Sequence, residues 1–388
     1  MVPMEERLPI EEVVDLIRVG EPLPFKVLDA QTRLLLNEGQ TIMNDRQYEL
    51  LVARGAWVDR RLVIERRRQV GSGADAAPRE PVKRLFSLFD RWERLLWDLD
   101  GILRRTADGR PTGADWPDMA QDLVATVDMN LDIALFGAVR QEDRRYALYP
   151  LGHSLHVGVL CLLAARQAGW TPERQRSLVL AALSMNVAMM ELQALMAEQD
   201  EPPRPRQLEV IRAHPMQAVK LLRQAGVSDM VWLRAVAEHH EHADGTGYPR
   251  GVREISEEAR LLRMADVYMA KITPRAGRAP LSPMVASRQL FQQEPGSPLA
   301  MTLIKGIGVY PPGALVQLKS GEVAVVKQRP TGSPAPLVFT VSDAKGEPSA
   351  NSRELDTALP DHAIAGPCAE PAKFPRILGE RVYGVVPG

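Results

Sequence analysis

The helical pattern that runs almost unbroken from Tyr149 to about Phe291 constrains this chain more than any other feature, because six of its seven histidines fall on it, between positions 153 and 242. Apolar residues recur there at three- and four-residue spacing, the mark of helices packed round a shared core. On a helix beginning near Pro150, His153 shares a stripe with Val157, Leu160 and Ala164 and should face the interior. His214 lines up with Ala218 and Leu221, and Pro215 after it suits a helix's first turn. Asp266 sits among Leu262, Met269 and Ala270, so its carboxylate needs a partner, a proton or a metal. His239 and His240 are adjacent; on a helix they point about 100° apart and reach one centre only if it is large or binuclear. Taken singly, an interior histidine is more often a core residue bonded to a carbonyl, and Asp266 could pair with Arg263 or Arg260. Together, four imidazoles and a carboxylate on apolar faces make a donor set that first-row divalent metals prefer.

Length and pattern imply several units. The chain has 388 residues, too many for one ordinary core, with 45% apolar and 25% charged residues, as in soluble domains. Residues 1–70 read as a small mixed α/β accessory domain: PFKVLDA and RLLLNEGQTI are expected strands, DRQYELLVARGAW a helix closed by Gly55, and Trp57 opens another strand. Residues 71–81, GSGADAAPREP, read as a linker, and 82–145 as a helical connector with apolar positions Leu85, Leu88, Phe89, Trp92, Leu95, Leu96 and Leu99, followed by one further helical run. Residues 146–305 form the main helical domain. Residues 306–388 form a β-rich appendage, with strands expected in ALVQLKS, EVAVVKQR and PLVFTVSD and a partly irregular tail. The expected class is therefore mainly α, with a small α/β domain before the bundle and a β-rich appendage after it.

Charge gives no reason to expect a nucleic-acid or membrane partner, since 48 Lys and Arg stand against 49 Asp and Glu. Cys161 and Cys368 lie far apart and outside any metal-binding spacing. The acidic first residues are unlike a signal peptide, and no apolar run is expected to span a membrane, so a cytoplasmic location is expected.

The run His239-His240-Glu241-His242-Ala243-Asp244-Gly245-Thr246-Gly247-Tyr248-Pro249 matches the signature HHExxDGxGYP at every defined position, and the chain thereby resembles the HD-GYP domain, the bacterial cyclic di-GMP phosphodiesterase module. Three further stretches resemble landmarks of that family in order: GHSLHV at 152–157, AHP at 213–215 and RLLRMADVY at 260–268. The resemblance implies an all-helical HD bundle and metal ligation by His153, His214, His239, His240 and Asp266, with iron or manganese as the divalent cation. It also implies phosphate contacts by Arg275 and Arg278. The loop of Gly247, Tyr248 and Pro249 is implied as a contact for GGDEF-type diguanylate cyclases, or else as a cap beside the metal site; Gly245 and Gly247 would supply positive φ.

The departure lies in AALSMNVAMM at 181–190, where the family has a run resembling LLHDIGK. Met185 stands for the histidine, Asn186 for the aspartate, Ala188 for the glycine and Met189 for the lysine. The family's aspartate bridges two cations; Asn186 offers a neutral carbonyl oxygen, and Met185 a thioether that hard cations disfavour. Met185 and Met189 otherwise read as core filler on a stripe with Leu178 and Ala181. The resulting expectation is a catalytically impaired signalling protein that acts by binding a partner and keeps at most one cation or the nucleotide. Two others stand beside it: a metal-dependent cyclic di-GMP phosphodiesterase with residual activity, and a purely architectural helical domain.

Overall fold

A computed structural model describes residues 6–71, 86–141, 145–330, 335–349, 351–374 and 377–388. The first unit contains strands β1 (Arg7–Pro9), β2 (Val27–Leu28), β3 (Leu34–Leu36), helix α1 (Asp45–Ala53), strand β4 (Trp57–Asp59) and helix α2 (Arg60–Gly71). Its antiparallel sheet has the order β1-β4-β2-β3. Asn44 caps α1 by accepting from the Gln47 amide, and Gly55 at φ 61° turns the chain into β4. Helix α2 follows Trp57 where only a strand was expected. The stretch read as a linker lies outside the described residues except for Gly71, which ends α2.

Helix α3 (Leu88–Ala107) begins at a capping box in which Ser87 and Asp90 satisfy each other's backbone amides. The second helical run is not continuous. It splits into α4 (Asp115–Met129) and α5 (Leu131–Val139) because Asn130 is extended and its side chain accepts from the Ile133 amide, capping a new helix.

The bundle consists of α6 (Tyr149–Gln167), α7 (Pro172–Ser184), α8 (Met190–Glu198), α9 (Pro205–Gln224), α10 (Met230–Glu238), α11 (Glu257–Ile272), α12 (Pro283–Gln293) and α13 (Pro298–Ile307). Helix α6 is its axis, packed against α7, α11 and α13. That position explains why α6 is apolar all round. Tyr146–Gln167 is in fact long and apolar enough by composition to cross a membrane, contrary to expectation, and its window is 89% buried inside the protein.

The appendage is a five-stranded antiparallel sheet of β5 (Leu315–Leu318), β6 (Val323–Gln328), β7 (Leu337–Thr340), β8 (Glu354–Asp356) and β9 (Ile364–Pro367), in the order β8-β7-β6-β5-β9, followed by α14 (Gly379–Tyr383). The tail is thus more regular than its Pro and Ala content suggests, because β8 and β9 complete the sheet on both edges. Alternate residues serve opposite faces: Leu315, Val323 and Val325 pack with Phe136 and Phe374, while Val316, Ala324 and Val326 form a second cluster with Val338 and Leu355.

One apolar core runs without interruption from Val27 and Val58 in the first unit through Leu99 of α3 to Leu160, Leu183 and Leu262 in the bundle. The first unit is also clamped to α3 by a buried ion pair, Arg54 to Asp100, with Nη2 to Oδ1 at 2.5 Å and Nε to Oδ2 at 3.1 Å. Asp100→Ala leaves the Arg54 charge buried without its carboxylate. It should destabilise the protein by about 3–5 kcal/mol, read as a lower urea midpoint; an unchanged midpoint would show that the clamp is dispensable.

Candidate metal centre

Three imidazoles converge at the bottom of the bundle. The ring nitrogens offered by His214 on α9, and by His239 and His240 just beyond α10, all lie within 4.8 Å of one another. His239 and His240 can share a centre because α10 ends at Glu238, which releases them from the 100° spacing of a helix; their ring centroids are 4.1 Å apart. His214 and His239 are buried and His240 is half-buried.

Pro215 has a different place from the one expected. It lies in the middle of α9, whose first position is Pro205. A proline has no amide hydrogen, so the carbonyl four residues earlier, that of Ile211, loses its helical partner. His214 Nδ1 takes that carbonyl at 2.6 Å. His239 Nδ1 likewise bonds the Val236 carbonyl at 2.7 Å, and the two Nε2 atoms face each other at 3.2 Å. Each of these three contacts needs one hydrogen, and two neutral imidazoles carry two. With both Nδ1–H groups held by carbonyls, the two Nε2 lone pairs are aimed at one another. A third proton is opposed by the surroundings: burial, then the neighbouring His239, hold His214 down to about 3, and burial lowers His239 too. A cation bound by Nε2 removes the conflict, and neutral imidazole nitrogens are the donors that zinc-, iron- and manganese-type ions accept. The residues present therefore fit a divalent cation.

The other two residues of the implied ligand set form a pair of their own. His153 Nε2 bonds Asp266 Oδ1 at 2.7 Å, joining α6 to α11. Asp266 is close enough to act electrostatically on His214, His239 and His240. Burial works to raise its pKa, but the His153 hydrogen bond and charge, with His240 and His239, hold it well below the usual carboxylate range. The arginines considered as its partners turn elsewhere: Arg260 and Arg263 both reach Glu294.

The signature loop closes over this cluster. Tyr248 stacks on His240 with centroids 4.6 Å apart, and its amide bonds the His240 carbonyl at 3.1 Å. The Tyr248–Pro249 peptide bond is cis. Gly245 has φ 81°, whereas Gly247 is demanded by close approach: a Cβ there would lie 2.4 Å from the His242 nitrogen. Sequence reasoning missed Glu241, which is buried and accepts from the Arg250 and Val252 amides at 2.8 and 3.1 Å, holding the loop's far end. The only signal was its place in the signature.

Arg275 donates to the Tyr149 hydroxyl from Nε at 3.1 Å and from Nη2 at 2.7 Å, and Tyr149 stacks on His153 at 5.6 Å. Arg278 is exposed and donates to the Ala270 carbonyl. The altered run lies at the end of α7. The helix stops at Ser184, so Met189 is not on its stripe; it is half-buried in the turn before α8, while Met185 is fully buried in the apolar core. Asn186 is 4% exposed and its Oδ1 has no hydrogen-bond partner among the described residues.

The family model for the HD domain matches residues 134–295. The chain is 28% identical over 185 residues to a cyclic di-GMP phosphodiesterase of Pseudomonas aeruginosa, covering 47% of this chain and 45% of that protein. It is 26% identical over 132 residues to the cyclic di-GMP phosphodiesterase PdeB of Borreliella burgdorferi, 34% of this chain and 35% of the other. A 3'3'-cGAMP-specific phosphodiesterase of Vibrio cholerae is 30% identical over 133 residues, 34% of this chain and 29% of its own. The alignments thus span less than half the length of these relatives. An HDG"Y"P protein from Bdellovibrio bacteriovorus superposes with TM-score 0.49 and 17% identity, over 76% of this chain and 97% of that one.

Protonation of the cluster sets the acid stability of the cation-free protein. His156 is also held down to about 3, by burial and then by His153, and His240 is lowered for the same reason. Unfolded imidazoles bind protons near pH 6.5 while these do not, so below that pH the unfolded state holds more protons and stability falls with pH. The loss is up to about 1.4 kcal/mol per pH unit for each imidazole. Chelator-treated protein should show a urea midpoint that drops steadily from pH 7 to pH 5; a flat profile would mean that the imidazoles titrate normally.

Proposed function

We propose that this chain, whose residues 134–295 match the family model for the HD domain, is a cyclic di-GMP signalling protein that binds one divalent cation, iron or manganese, without efficient hydrolysis of the nucleotide. The observation that carries the cation is the facing pair of Nε2 atoms on His214 and His239, which no arrangement of two protons satisfies. His240 adds a third nitrogen, and Asp266, held in place by His153, supplies negative charge beside them. When bound, a cation there would polarise a phosphate oxygen or a water.

The impairment rests on the end of α7. Asn186 brings no charge to the place where the family's resemblance implies a bridging carboxylate, so the charge on two closely spaced cations is not neutralised there. Met185 points its side chain into the apolar core, and Met189 cannot offer an ammonium to a phosphate. Cyclic di-GMP as ligand is supported by what the names of two relatives say of them. Arg275 and Arg278 are proposed to meet its phosphates, Arg275 in competition with the Tyr149 hydroxyl that it now holds. The loop of Gly247, Tyr248 and Pro249 is proposed as the contact for a GGDEF-type partner; because Tyr248 also stacks on His240, partner binding there would be felt at the cluster.

Residual phosphodiesterase activity is the second reading, and the intact His153–Asp266 pair favours it. The two are separated by purified protein loaded with Mn or Fe. We expect about one cation per chain, bound roughly tenfold more weakly in Pro215→Ala, whose restored amide competes with His214 for the Ile211 carbonyl, and no hydrolysis of cyclic di-GMP above a blank. Turnover abolished by Asp266→Ala would replace the first reading by the second. Cation content near zero would sink both.

A further inference from the structure

The two histidines that follow α10 are bracketed by carboxylates, and both carboxylates hold the same return segment. Glu241, on one side, accepts from the Arg250 and Val252 amides. Glu238, on the other, is the last residue of α10 and stands just before the signature, outside it. Its side chain is 5% exposed, a costly place for a charge unless donors surround it. Oε1 accepts from Arg234 Nε at 3.0 Å and from Arg250 Nη2 at 3.3 Å. Oε2 accepts from Arg234 Nε at 3.1 Å and from the Ser256 backbone amide at 2.9 Å.

We propose that Glu238 is a positioning residue for the cation site, tying the histidine pair at the end of α10 to the helix that carries Asp266. The proposal rests on the cation reading given above. Ser256 is the N-cap of α11, where its Oγ accepts from the Ala259 amide. Asp266 lies further along the same helix, roughly 15 Å away at 1.5 Å per residue. A bond at the cap therefore sets how far Asp266 stands along the helix axis relative to His239 and His240. His239 is fixed at the other end of the tie, because its Nδ1 bonds the Val236 carbonyl in the last turn of α10.

The ion pairs alone do not account for this arrangement. Arg234 and Arg250 are each about half exposed. A carboxylate that served only these two guanidiniums would do so in solvent, where such pairs contribute little. What requires the buried position is the Ser256 amide, which belongs to another helix. Glutamine is not an equivalent. Both carboxylate oxygens accept, whereas a carboxamide has one acceptor and one donor, so Glu238→Gln turns an N–H toward either the arginines or the Ser256 amide.

The test uses the full chain and Co(II), whose visible absorption reports both occupancy and ligand geometry. Glu238→Gln should weaken Co(II) binding roughly tenfold and shift the absorption of the bound ion. Ser256→Pro removes the amide but leaves Glu238 and its arginines in place, and the φ of −62° at that position already suits proline. It should have the same two effects, and it keeps the test valid if the Glu238 variant does not fold. Glu322→Gln, in the appendage, breaks a comparable buried pair with Arg353. It should leave affinity and spectrum as in wild type, which separates positioning from a general loss of stability. Affinity and spectrum equal to wild type in the folded Glu238 and Ser256 variants, or an equal effect of Glu322→Gln, would overturn this proposal and leave the cation reading standing. A wild-type chain that takes up no Co(II) would overturn both.

Discussion

Two buried imidazoles are asked to make three hydrogen-bonded contacts with two hydrogens. That deficit at His214 and His239 is the constraint from which the rest of the site follows. It has a backbone origin. Pro215 withholds an amide from the Ile211 carbonyl, and the end of α10 leaves the Val236 carbonyl open; each is filled by the Nδ1 of the neighbouring histidine. Both rings are thereby locked with Nε2 outward toward a common point. Burial in the bundle opposes their protonation, which under the proposed reading leaves the point to a cation rather than to a proton.

Around that point the chain supplies different things from different elements. The loop after α10 lays Tyr248 over His240, and Glu241 fixes the loop's return. Helices α6 and α11 are tied by His153 and Asp266, which makes His153 a positioning residue for the carboxylate in this arrangement. The end of α7, by contrast, brings uncharged groups: a thioether packed into the core and a carboxamide whose oxygen finds no partner among the described residues. Under the proposed reading, a single cation is what these charges would balance.

Much of this was legible in the sequence because it is local. The strands at Val27–Leu28 and Leu34–Leu36, the helix closed by Gly55 and the buried faces of His153 and His214 follow from period and turn chemistry. What was not legible depends on where a helix stops. His239 and His240 read as helical neighbours, yet they lie just past α10, and Met189 read as part of a stripe that ends at Ser184. Pro215 read as a helix start because proline is common there; only the packing of the whole of α9 shows it inside, where its missing amide matters. The roles of Tyr149 and Glu241 depend on contacts between segments far apart or on loop amides, and periodicity carries no record of either.

The account turns on which ring nitrogens carry hydrogen. Long-range nitrogen–proton correlation spectra of ring-labelled histidine in the cation-free protein at pH 7 report this directly. The prediction is that His214 and His239 both carry their hydrogen on Nδ1 and have a bare Nε2, whose resonance shifts when a diamagnetic divalent ion is added. A hydrogen on Nε2 of either ring, unmoved by the ion, would contradict it.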